Sequence, residues 1–152
     1  VDKYQDYTDD EGVFHSKEEQ EAQALQDYIE SRCKEVDNLH RQKLYTSVTA
    51  IFPNGEKTIQ FRNETDRANL ANVAQAAMAL VMSGTPEATM KYRTEDNITQ
   101  TVRADQMVGI AMGVLGQKED ILEVAWSHKD TLRAMTDYET VKNYDIAQGW
   151  TS

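Results

Sequence analysis

Cys33, Asp37 and His40 fall at i, i+4 and i+7, the spacing that puts a thiol, a carboxylate and an imidazole on one face of a helix. A zinc centre asks for a fourth ligand and for closer pairs of the CxxC or HExxH kind, so the three read as a cysteine in an apolar seam with two polar flanks. His128 stands three residues after Ala125 and four before Leu132, as a half-buried packing histidine would, and His15 sits beside a helix cap. Glu95, Asp96 and Asn97 could face a cation, but an EF-hand spreads its acids over roughly twelve residues with glycine at the sixth. They read as turn formers. The chain has no GxSxG, no glycine-rich phosphate loop and no nucleophile in a recognisable setting. Trp126 and Trp150 are large apolar groups suited to a core or an interface. No catalytic residue, metal ligand or cofactor-binding residue is assigned, and no cofactor is expected.

The 152 residues suit one ordinary domain able to bury a core without disulfides or metals. Sixteen basic against 26 acidic side chains leave a formal charge of -10, which repels a phosphate backbone. Nucleic acid is not an expected partner. A single cysteine makes no internal disulfide, which fits synthesis in a reducing compartment. No apolar run approaches the roughly 18 residues of a membrane span, and VDKYQDYTDDEG lacks the features of a signal peptide. A soluble chain, not conventionally secreted, is expected.

The elements that must position these residues can be read in order. Residues 1–21 carry eight acids against two lysines, a run that solvates itself, so residues 1–15 are expected to form a flexible acidic arm. Ser16 followed by Glu19 is a capping box that opens a helix over residues 16–44. Along it Ala22, Leu25, Ile29, Cys33, Val36 and Leu39 form one narrow apolar stripe on an otherwise polar surface, like a coiled-coil seam. Leu25, Ile29, Cys33, Val36 and Leu39 are therefore the expected partner-binding residues, and the helix an extended one for oligomerisation or partner binding.

Residues 45–152 read as an α+β domain. VTAIFPNGEKTIQF suggests a hairpin turning on Asn54-Gly55 as a type I′ turn, which pairs Val48 with Phe61, Ala50 with Ile59 and Phe52 with Lys57 and leaves one face apolar. Asn63 or Thr65 can cap a helix bearing Leu70, Val73, Ala77, Leu80 and Val81, which Gly84 and Pro86 end. A three-residue loop, Glu95 to Asn97, would pair Thr94 with Ile98, Tyr92 with Gln100 and Met90 with Val102. A helix follows from about Asp105 to Met135, which Gly113 and Gly116 bend or break near Gln117, and the tail wraps back through Val141, Ile146 and Trp150. The fold class is α+β: an N-terminal extended helix, then hairpin, helix, hairpin, helix, with a small antiparallel sheet packed on helices.

The order of these pieces, with NETDRANLANVAQAAMAL, with Tyr92, Arg93, Thr94, Asp96 and Asn97 before a strand, with RADQMVGIAMGV and with DIAQGW, resembles a domain of unknown function common in tail proteins of tailed bacteriophages. The correspondence falls on Arg67, on Thr94 with Asp96 and Asn97, and on Gln106 with Met107. It covers about Leu44 to Trp150, and it departs from the family at Tyr92, where tryptophan is common, and at Thr151, where proline is. The resemblance carries over no active site. It implies a structural or adaptor component of the virion, at the baseplate or the tail-fibre attachment, made in the host cytoplasm and acting through other phage tail proteins as a homo-oligomer or hetero-complex. Its rivals are a tail-fibre assembly chaperone and a tail-associated enzyme with an unrecognised site.

Overall fold

A computed structural model describes residues 3–150. Its order of elements is β1 (Tyr7–Thr8), β2 (Phe14–His15), α1 (Lys17–Leu44), β3 (Val48–Phe52), β4 (Gly55–Ile59), α2 (Glu64–Met82), β5 (Thr89–Arg93), β6 (Thr99–Arg103), α3 (Ala104–Arg133) and α4 (Tyr138–Asn143). The strands form three separate two-stranded antiparallel sheets, so the fold is α+β with small hairpins on helices. Two compact units share the chain: the described residues up to Leu39 with Val124–Gly149, and His40–Glu123 with Trp150. The division does not fall at the expected boundary of residues 44 and 45, because α1 and α3 each contribute to both units.

In the unit that holds β3 to β6, the core is Phe52, Ile59, Phe61, Leu70, Ala74, Ala77, Val102, Met107, Ala111 and Val114. Each fully buried large side chain here is worth about 1.5–3 kcal/mol. Asn63 caps α2, its side chain accepting from Asp66 N at 3.0 Å, and Ser83 and Gly84 close the other end, Gly84 at φ +85°. β5 and β6 pair in the expected register, Met90 with Val102 and Tyr92 with Gln100, and Thr94 N donates to Ile98 O at 3.1 Å. Asn97 takes the left-handed conformation at φ 64°, as a loop of this length needs. α3 runs unbroken through Gly113 and Gly116.

The first hairpin departs from expectation by one residue. Val48 pairs with Ile59, Ala50 with Lys57 and Phe52 with Gly55, so the turn centres on Pro53-Asn54. Proline's fixed φ suits the first central position of an ordinary turn, and Asn54 is not among the residues of positive φ, so the type I′ turn does not form. Gly55 keeps its need for glycine at φ +113°. Moving the turn by one residue changes each partner by two, which preserves the face, so Val48, Ala50, Phe52, Ile59 and Phe61 still turn inward.

In the other unit, the segment expected to be a flexible arm instead forms the β1–β2 hairpin. Asp9 organises it, accepting from Glu11 N at 3.0 Å, Val13 N at 2.9 Å and the His15 ring at 2.8 Å. These bonds, that to His15 foremost, hold the Asp9 carboxyl below its usual range. Ser16 Oγ accepts from Glu19 N at 3.1 Å and starts α1 as expected.

Candidate interaction surface

The α1 stripe was the expected contact with another chain, and the chain covers its centre itself. Ile29 and Cys33 are 2 % exposed and Val36 is fully buried, while Leu25 and Leu39 at the two ends are half-buried. The cover belongs to the same unit: Ala125, His128 and Leu132 of α3 and Val141 of α4 are buried there. Lys129 Nζ reaches Asp37 at 2.9 Å, Arg133 Nε reaches Glu30 at 3.4 Å, and the Arg32 guanidinium donates to Tyr144 O. The ion pairs are half-exposed and each worth about 0–1 kcal/mol. Apolar burial, at about 2 kcal/mol or more per side chain, is what closes the seam. A helical pattern shows which face is apolar but not what covers it; the tail, expected to wrap back through Val141, buries that residue fully in this unit.

The candidate chemical groups are likewise engaged in structure. Burial raises the Cys33 thiol above its usual range, which keeps it unreactive. Asp37 is taken by Lys129. His128 joins the end of α3 to the tail, with one ring nitrogen 2.6 Å from Tyr144 Oη and the other 2.7 Å from Gln148 O, so the packing role read from its spacing is the one it has. Asp96 accepts from the Thr94 hydroxyl at 2.6 Å and from Lys57 Nζ at 2.9 Å, and these bonds hold its carboxyl down at about 2. Asp66, Asp105 and Asp137 are lowered in the same manner, by Arg62, Arg103 and the Thr140 hydroxyl. Among the described residues no group of three or more His, Cys, Asp or Glu side chains could hold a metal ion. Trp126 lies 53 % exposed instead of filling the core of this chain.

Lys118 was missed by sequence reading. It is 5 % exposed, its Nζ donating to Thr46 O at 2.8 Å and Thr46 Oγ1 at 3.2 Å and standing 4.7 Å from the centre of the Phe61 ring. Burial lowers its affinity for a proton. It borders a cavity of about 510 Å³ with aliphatic walls from Leu44, Leu115 and Leu122, which Glu119 and the Arg67–Glu64 ion pair also line. The bonds to Thr46 make Lys118 a tie on the turn after α1.

A second concavity, of about 690 Å³, lies between β3 and α3. Residues 48–53 form one wall and Gln106, Gly109, Ile110, Gly113, Val114 and Gln117 the other, and none of them is charged. In a chain with 28 % charged residues this surface stands apart. Ile51, 71 % exposed, rises from its rim. Nothing in the sequence pattern flagged it, since it joins an alternating strand to a helix turn more than fifty residues later.

A hairpin, helix, hairpin, helix arrangement carrying an open uncharged groove makes a small α+β domain. The chain belongs to the DUF4376 family, described as a domain of unknown function, whose pattern it matches over residues 20–148. The match takes in most of α1, which the residue resemblance had left outside its strongest part. No curated protein and no solved structure matches the chain. Among the described residues no helix is long and apolar enough to cross a membrane.

Proposed function

We propose that this chain is an adaptor that works through protein–protein contacts, and that its setting is the tail of a bacteriophage particle, at the baseplate or the fibre attachment. The observation that carries the adaptor role is the charge-free groove between β3 and α3, a surface suited to another polypeptide, while the shifted carboxylates each serve a turn, a cap or an ion pair. The phage setting rests on the residues around Arg67, Thr94, Asp96, Asn97, Gln106 and Met107 that resemble the tail-protein domain. Its partners are other tail proteins, and its place in the mature state is the virion.

The test is to tag the chain in an infected culture, purify particles through two density gradients and probe for the tag. Stoichiometric tag in the particles is the expected result. A tag confined to the soluble lysate, with particles infectious, would remove the virion role and favour an assembly helper. Loss of infectivity on triple substitution of Cys33, His40 and His128, in a chain that still folds and assembles, would favour an enzyme.

A further inference from the structure

The two edges of the β3–β4 hairpin differ. Along β4 the outer edge is met by the β5–β6 loop, where Glu95 N donates to Thr58 O at 2.9 Å and Lys57 Nζ pairs with Asp96. Among the described residues β3 pairs with β4 alone. Phe52 flanks the turn opposite Gly55, so the alternation of an antiparallel ladder turns the N–H and C=O groups of Ala50 and Val48 toward β4 and those of Thr49 and Ile51 outward. This outward edge borders the groove. A bare strand edge carries a fixed row of donors and acceptors, and the group complementary to it is a second extended backbone.

The far wall agrees. Gly109 and Gly113 lie one turn apart on α3 facing the groove, and a Cβ built at either meets no described atom beyond the helix's own backbone and adjoining residues within 4 Å. Glycine is a poor residue for the interior of a helix, and the packing of this chain gives no reason for it at either position. A backbone laid against the helix supplies one, because the absent Cβ lets it approach closely.

We infer that β3 is a strand-addition site, and that an extended, uncharged segment of a partner protein binds in antiparallel or parallel pairing along Thr49 and Ile51, over the Gly109–Gly113 face of α3. The inference deepens the adaptor reading and rests on it. Charge selects the occupant's chemistry: the lining is neutral in a chain of net charge -10, so an acidic segment meets repulsion from the surroundings and a basic one finds no carboxylate in the groove. Geometry selects a foreign segment over a second copy. The same edge in a second copy is bordered by that copy's own α3, so two such edges present helix to helix, whereas a segment bare on both edges enters between strand and helix.

The experiment uses the full chain, labelled with nitrogen-15, and the uncharged peptide acetyl-Thr-Val-Thr-Val-Thr-amide as probe. Saturable shifts of the Thr49, Ile51, Gly109 and Gly113 amide signals at submillimolar to millimolar peptide are expected, with Thr58 unmoved. The same peptide N-methylated at every residue should bind at least tenfold more weakly, since it has no N–H for the ladder. The Gly109→Ala, Gly113→Ala double variant should melt no lower than the parent and also bind at least tenfold more weakly. Absence of saturable shifts, equal binding of the methylated peptide, or shifts centred on Thr58 would each overturn the inference. Shifts at Thr49 and Ile51 that grow with protein concentration alone, with a doubled mass by light scattering, would overturn it in favour of a second copy. None of these outcomes touches the particle-purification result, so strand addition and the virion role fail separately.

Discussion

Ile29→Ala in the isolated chain separates a seam covered from within from one that waits for a partner. Ile29 is 2 % exposed, so the substitution removes three carbons from a closed site. At about 0.8 kcal/mol each, their transfer contributes about 2.4 kcal/mol. The cavity left between α1 and the buried side chains of α3 and α4 raises the cost to about 3–4 kcal/mol, within the range of such core truncations. In a chain of this length that corresponds to a fall of roughly 6–15 °C in melting temperature. The assay is urea unfolding followed by circular dichroism at low micromolar concentration, with Met82→Ala as reference. Met82 is 81 % exposed and its truncation should move stability by no more than about 0.5 kcal/mol. A cost below about 1 kcal/mol for Ile29→Ala, in a chain shown to be monomeric, refutes the internal cover and returns the stripe to a partner.

Three further outcomes are expected. A Cβ at Gly55 meets no described atom within 4 Å, so the expected cost of about 1–3 kcal/mol for Gly55→Val is assigned to φ +113°, and an unchanged melting temperature would contradict that backbone. Asn63→Ala should cost about 1 kcal/mol by removing the acceptor for Asp66 N, read as a lower urea midpoint at constant slope; an equal midpoint would show that α2 is capped otherwise. Asp96→Asn should lower the melting temperature at neutral pH. The folded carboxyl titrates at about 2, below the unfolded value of about 4, so the stability it adds is complete above the unfolded value and lost as pH falls toward 2. Parent and variant should therefore converge between about pH 4 and pH 2, and a gap that stays constant through that range would deny the bonds to Thr94 and Lys57.

Local rules accounted for much of this fold. The three-residue loop at Glu95–Asn97 was legible because its register gathers Met90, Tyr92, Ile98 and Val102 on one side and Asn97 tolerates φ 64°, although Ile98 at the loop's edge stays exposed. The caps at Ser16 and Asn63 were legible because their side chains satisfy backbone donors within three residues. The first turn was misplaced by one residue because Asn-Gly is so strong a hairpin signal that it outweighed the preference of Pro53 for the first central position. Burial of Ile29, Cys33 and Val36 was hidden for a different reason: the return of the tail through Val141 was expected, but which face it meets about a hundred residues away is encoded in no short pattern. The arm failed on Asp9, whose carboxylate gathers its neighbours; the count of acids alone saw only repulsion. The groove was invisible for the same reason as the seam, since Thr49 and Gly113 become neighbours only in the fold.

The proposed contact with other proteins through the β3–α3 groove, and not through the α1 stripe, is tested most directly by site-specific photocrosslinking in assembling particles. A photoreactive residue is placed singly at Ile51 and Gln106, which border the groove, and at Lys34, which is exposed on α1. Covalent adducts with another tail protein from positions 51 and 106, and none from position 34, are the predicted result. Adducts from position 34 alone, with positions 51 and 106 unreacted in folded chain, would contradict the account.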